Sequence, residues 1–295
     1  MIRHAWRLYV SKRSHSDWVR SLSAAICCWL VAQQAVSSHA DHPRSWAAVY
    51  GKHAATAALA QPDWLVLEPD HGWRLATFKR PGQRVLAYLS LGEVHESRDY
   101  FQALAANRGA LLGRNPHWPG AWRVNPEHTV WRDMLVERLV GSFLAMGYDG
   151  LFLDTLDAAE ELERSKALPG ARQAMIDLVA LIHARYPQAR IVANGGLALV
   201  PAIVPCLSAF AVESIVTDYD FERKAYRWRQ ASEARSRVAE FQALQHQYGL
   251  PVLVLEYRPA GDRVGRVRAT TAMRAAGFVP FVSGIDLDQL PGSAP

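Results

Sequence analysis

Cysteine is scarce in this 295-residue chain, and two of its three cysteines, Cys27 and Cys28, fall in an N-terminal leader. Only Cys206 follows, so a chain without the leader can form no intramolecular disulfide and must draw its stability from a buried core. Cys206 sits beside the apolar run Ile203–Leu207 and is expected to be an inert, buried thiol. Long apolar runs are lacking as well. The segment from Leu22 to Val36 is broken by Gln33 and Gln34 and falls short of the about 20 apolar residues that a membrane-spanning helix needs. A charge excess is equally absent outside the leader. Of the 33 basic and 28 acidic residues, five and one lie in residues 1–40, leaving 28 against 27. The high isoelectric point therefore belongs largely to the leader and gives no warrant for a nucleic-acid partner.

The leader has a recognisable form. Arg3, Arg7, Lys12, Arg13 and Arg20 precede the apolar run, and Ser38-His39-Ala40 places small residues where a signal peptidase reads them. Residues 1–40 are expected to be a signal peptide cut after Ala40, with an uncleaved anchor as the alternative. Cys27 lacks the small residue that a lipoprotein signal sets before its cysteine. The expected product is secreted or periplasmic, with no stable membrane insertion. Residues 41–295 contain no Gly/Ser linker, charge block or low-complexity tract, and are read as one domain.

Short β-rich runs recur along that domain: Trp46–Tyr50, Trp64–Leu67, Val85–Leu91, Gly150–Asp154, Arg190–Asn194, Ala209–Glu213, Pro251–Tyr257 and Phe278–Ser283. Several are almost wholly apolar, as parallel strands covered on both faces are. Helical patterns lie between them. Val130, Met134, Leu135 and Leu139 form one stripe and Met175, Leu178, Val179 and Ile182 another. A long helix is predicted from Glu222 to Tyr248, stopped by Gly249, and a further one from Val264 to Gly277. Eight β–α units without a dinucleotide glycine fingerprint predict a single (β/α)₈ TIM barrel, with an open doubly wound sheet as the alternative.

Barrel enzymes carry their chemistry where the strands end. Here the runs end in Tyr50, in Glu68 and Asp70-His71, in Glu93, in Asp154 and Asp157, in Asn194, in Glu213, in Glu256-Tyr257 and in Ser283. Any one such carboxylate could simply cap a helix. Five of eight strand ends carrying one form a constellation that suits glycoside hydrolysis, which needs two carboxylates about the scissile bond. No His-x-His ends a strand and no HExxH helix is present, so neither a metal nor another cofactor is expected. The Gly-x-Ser-x-Gly elbow of a serine hydrolase is missing too.

Longer motifs sharpen this reading. The runs Leu65–His71, Leu86–Val94 and Gly147–Asp157, with Asn194-Gly195-Gly196, Val212-Glu213-Ser214 and Gly277–Pro280, resemble the hydrolase domain of PelA-like proteins, in glycoside hydrolase families 114 and 166. The resemblance spans residues 46–290. It implies a barrel that cleaves galactosamine-rich polysaccharide internally with retention, using Asp154 as nucleophile and Glu213 as acid/base. Around that pair, Tyr50, Asp70, Tyr88, Glu93, Asp157, Asn194, Glu256 and Tyr257 are the candidate substrate contacts. Packing and loop-ordering roles stay open for the tyrosines and acids.

Two departures stand out. No deacetylase domain follows in this sequence, and strand seven ends in Glu256-Tyr257 where Asp-Tyr is expected, which makes Glu256 a rival acid/base. The long connection Glu96–His128 holds Trp118 and Trp122, as a stacking platform for sugar rings or as ordinary packing. A non-catalytic carbohydrate-binding barrel and a metal-dependent barrel hydrolase are the competing functions.

Overall fold

The computed structural model describes residues 42–52, 56–116 and 118–288. The expected signal peptide and its cleavage point lie outside them. Eight parallel strands follow one another around a single sheet in chain order. They are β1 (Trp46–Val49), β2 (Trp64–Leu67), β3 (Arg84–Ser90), β4 (Gly150–Asp154), β5 (Arg190–Asn194), β6 (Ala209–Glu213), β7 (Val252–Tyr257) and β8 (Val279–Ser283). Side chains close the ring between its first and last strands. Trp46 Nε1 donates to the Val279 carbonyl at 2.8 Å, and the Trp46 and Phe281 rings meet edge-on at 5.7 Å. The result is the expected (β/α)₈ barrel.

Burial explains why these runs make parallel strands. Every residue of β1, β2 and β7 is buried, because interior side chains fill one face and helices cover the other. The stripe Met175, Leu178, Val179 and Ile182 faces inward from the helix Ala171–Arg185. The helices Ala231–Tyr248 and Arg263–Ala275 stop before Gly249 and Gly277, whose φ angles of 68° and 86° are left-handed, as the glycine stops predict. Cys206 is half-buried in a short 3₁₀ turn rather than enclosed.

Two connections depart from the sequence reading. The predicted helix from Glu222 begins only at Ala231; Thr217–Asp220 and Ala225–Trp228 form an antiparallel hairpin instead. Cross-strand pairs account for it, since opposed residues on one face stabilise a two-stranded ribbon. Tyr219 lies opposite Tyr226 with ring centroids 4.9 Å apart, and Asp218 opposite Arg227 with a 2.8 Å ion-pair contact. The long connection after β3 is likewise ordered. Glu93–His95, Ala121–Val124 and Leu111–Arg114 make a three-stranded antiparallel sheet standing on the barrel mouth.

This small sheet is seated by Gly92. A Cβ there would lie 2.4 Å from the Thr155 carbonyl oxygen and 2.6 Å from the Ala158 Cβ, so only glycine lets the connection pass. The buried Trp131 indole adds a second anchor, donating to the Leu91 carbonyl at 3.0 Å.

Candidate active site

The C-terminal ends of β4, β5 and β6 lie side by side, and each ends in a polar residue: Asp154, Asn194 and Glu213. Asn194 stands between the acids. Its amide nitrogen donates to Asp154 Oδ1 at 2.9 Å and to Glu213 Oε1 at 2.8 Å. Those oxygens therefore lie no more than about 5.7 Å apart, and two linear hydrogen bonds from one planar NH2 group would put them about 5 Å apart.

The outer oxygens are held by tyrosines. Tyr88, on β3, donates to Asp154 Oδ2 at 2.8 Å, and Tyr257, on β7, donates to Glu213 Oε2 at 2.6 Å. Tyr50 packs its ring against Tyr88 at 4.7 Å. Burial and the neighbouring carboxylates push all three phenols far above their ordinary range, so they stay protonated donors.

Both acids are pushed up from the usual carboxylate range, first by burial. For Asp154 the donors Tyr88 and Asn194 oppose the shift. For Glu213 the Asp154 charge adds to it, and Tyr257 and Asn194 oppose it. Two carboxylates this close titrate as a pair and hold one proton between them over an extended pH range.

The residue after each acid is unusual. Thr155 and Ser214 have φ angles of 60° and 58°, in the left-handed region that non-glycine residues rarely enter. Such a conformation costs on the order of 1–3 kcal/mol and persists only when its surroundings enforce it. Contacts here do so. The Thr155 hydroxyl meets Ser90 Oγ and the Gly92 N–H, each at 2.8 Å. Arg229 Nε donates to the Ser214 carbonyl at 2.7 Å, and Arg237 donates to the Glu213 carbonyl at 3.1 Å.

The acids open into a cleft of about 1300 Å³. Tyr50, Asp70, Tyr88, Glu93, Asp157 and Tyr257, all candidate substrate contacts from the sequence, line it. Glu93 accepts from Asn115 at 2.7 Å and is pushed up by burial. Asp157 is exposed, and its charge adds to the upward push on both acids. Asp70 is partly committed, because Arg98 reaches it at 2.5 Å while holding Glu68 with two 2.8 Å bonds. Nothing in the local sequence marks Arg98, which acts across 28 and 30 residues.

Glu256 does not belong to this group. Its side chain is wholly buried and accepts from the backbone N–H groups of Ile215, Val216 and Thr217 at 3.0, 2.9 and 2.8 Å, and from the Thr217 hydroxyl at 2.5 Å. Its expected part as a substrate contact or rival acid/base is corrected accordingly. The carboxylate is spent on pinning the chain that leads from β6 into the hairpin.

The two tryptophans also divide. Trp122 is half-buried, packed on Phe101 and under Arg114, whereas Trp118 is 54% exposed on the cleft. Among the described residues, no group of three or more His, Cys, Asp or Glu side chains is placed to hold a metal ion, and no helix is long and apolar enough to cross a membrane.

Known proteins share this fold. The chain is similar to the glycoside hydrolase domain of PelA from Pseudomonas aeruginosa, with 31% identity and a TM-score of 0.75 over 84% of this chain and 98% of that one. A glutamate-to-alanine variant of the same domain superposes with a TM-score of 0.74. Ega3 from Aspergillus fumigatus, solved as a complex with galactosamine, shares the fold at 18% identity, with a TM-score of 0.61 over 83% of this chain and 93% of that one. No curated protein matches the chain in sequence. The profile of glycoside-hydrolase family GH114 matches residues 31–293, and the chain belongs to that family.

Proposed function

We propose that the mature chain, residues 41–295, is a secreted or periplasmic endo-glycosidase that hydrolyses galactosamine- or N-acetylgalactosamine-rich exopolysaccharide with retention of configuration. Asp154 is the nucleophile and Glu213 the acid/base. Glu213 gives its proton to the leaving glycosidic oxygen as Asp154 attacks the anomeric carbon. Water, deprotonated by Glu213, then cleaves the glycosyl ester and frees Asp154.

The bridging amide of Asn194 carries this reading. It draws the two oxygens that it binds to within about 5.7 Å of each other, which suits the close pair of a retaining enzyme and is short of the roughly 6.5–9.5 Å that leaves room for an inverting water. Charge supports the division of roles. Both acids are raised and lie close together, so the pair keeps one proton while the other acid is ionised, the state that a nucleophile and an acid/base need.

The substrate class rests on two observations. Ega3, of the same fold, was solved with galactosamine. The cleft of this chain is lined by eight Asp and Glu against four Lys and Arg, a surplus that attracts the ammonium groups of deacetylated amino sugars.

Incubating the mature domain with a partly deacetylated galactosamine polymer, with and without chelator, tests the proposal. Chelator-insensitive cleavage to short oligomers is expected, with a loss of about 1000-fold or more in Asp154→Asn and in Glu213→Gln. Undiminished variants would reject the pair, binding without product would mark a lectin-like barrel, and chelator sensitivity would mark a metal hydrolase. Amino-terminal sequencing of exported protein, expected to begin at Asp41, tests the leader.

A further inference from the structure

Six large hydrophobic side chains among the described residues are exposed, and only two of them are aromatic: Trp118, 54% exposed, and Phe221, 59% exposed. Both line the cleft, whereas Met146, Leu181, Val264 and Val267 do not. They also touch each other, although Trp118 belongs to the connection after β3 and Phe221 to the hairpin after β6. Their centroids lie 6.1 Å apart with the rings nearly perpendicular.

The contact is one end of a longer row. Phe221 meets Tyr219 at 5.0 Å and 82°, and Tyr219 meets Tyr226 at 4.9 Å and 68°, so each ring turns an edge to the next. Edge-to-face packing of this kind is favourable and fixes ring direction. The inner end is fastened as well. Tyr226 Oη accepts from the Ile285 N–H at 3.0 Å, and Glu256 pins the backbone of residues 215–217 beneath the hairpin. A braced apolar wall thus extends from the barrel end to solvent along the cleft that holds Asp154 and Glu213.

We infer that Trp118, Phe221 and Tyr219 form a subsite for a sugar ring of the same polymer, away from the cleavage point. A pyranose presents C–H groups on one face, which suits an aromatic wall, and its hydroxyls stay in water. A free amino group on that sugar adds a cation–π attraction. Position argues for a non-reacting sugar: the acids lie deep between strand ends, while Phe221 and Trp118 stand more than half exposed at the rim. Continuity with the acid-lined cleft makes the occupant part of the substrate chain. The inference rests on the proposed hydrolase reading and adds a determinant of chain-length preference to it.

The test compares wild type with Trp118→Ala, Phe221→Ala and the double variant on galactosamine oligomers of increasing length and on the polymer. Thermal unfolding of each variant controls for folding. On the polymer, kcat/KM of the double variant is expected to fall about five- to tenfold, chiefly through KM, and on the shortest oligomer cleaved by less than twofold. Trp118→Phe should recover most of the loss. Equal losses at every length, or none on the polymer, would overturn the subsite. Wild-type turnover reports separately on the hydrolase reading. If wild type does not cleave, retardation of each protein in gels containing the polymer decides the subsite alone: weaker retardation of the double variant supports it and equal retardation refutes it.

Discussion

Replacing Glu213 by Gln should abolish turnover while making the fold more stable at alkaline pH, where both acids would otherwise be ionised. The substitution keeps the side chain's shape, and its carbonyl can still accept from Asn194, but it removes one of two like charges about 5 Å apart. At an effective dielectric of about 20, charges at that distance repel by about 3 kcal/mol. The donors Tyr88, Tyr257 and Asn194 offset part of this, leaving an expected gain of about 1–2 kcal/mol when both acids would otherwise be ionised. Both folded-state pKa values are raised, so the native protein binds these protons more tightly than the unfolded chain does. Their contribution to stability is therefore complete below the unfolded value, about 4.3 for Glu, and is lost as pH rises through the folded value. The variant escapes the Glu213 share of that loss. Its melting temperature should exceed the wild type's by about 2–6 °C at pH 8, with the difference shrinking toward pH 4. Thermal or urea unfolding at both pH values measures it. A variant no more stable than wild type at pH 8, or one with the same advantage at pH 4, would refute the account of two acids in conflict.

The same electrostatics predict a bell-shaped pH profile of kcat/KM, because the proposed mechanism needs Asp154 ionised and Glu213 protonated; its alkaline limb should lie above an ordinary glutamate value. Asp157→Asn removes a charge that raises both acids, so a titration of kcat/KM should show that limb moving to lower pH. Glu256→Ala strands two buried backbone N–H groups, a part-buried one and a buried hydroxyl, and should cost about 3–5 kcal/mol in urea unfolding. Gly92→Ala forces a Cβ against the Thr155 carbonyl and must displace the chain beside Asp154; kcat should fall roughly 100-fold while circular dichroism shows the barrel retained.

Much of this molecule is legible in its sequence, and the reason is burial. The eight strands are found within a residue or two of their apolar runs because both faces of each are covered, which imposes an unbroken apolar pattern. Asp154, Asn194 and Glu213 are legible as neighbours because each is the last residue of such a run, and adjacent parallel strands bring their ends together. The hairpin at Thr217–Trp228 was hidden by its charges, since Glu222, Arg223 and Lys224 resemble a solvated helix start. Alternation of Tyr219 and Phe221, then Tyr226 and Trp228, was the available signal for a ribbon. Glu256 shows the limit of arguing from position along a strand. It is the penultimate residue of β7, and its side chain turns to the hairpin base, whereas the next residue, Tyr257, reaches Glu213. Strand parity separates the two, and one residue of uncertainty in a strand's end is enough to exchange them.

Asn194 carries no net charge, and that neutrality has a consequence of its own. A lysine or arginine in its place would also draw Asp154 and Glu213 together, but it would do so by neutralising them and would leave neither able to keep a proton near neutrality. A primary amide tethers both oxygens and leaves their mutual antagonism almost intact. The protein thus has a coupling element that fixes where two acids stand without deciding which of them is ionised, and the incoming substrate remains free to do so.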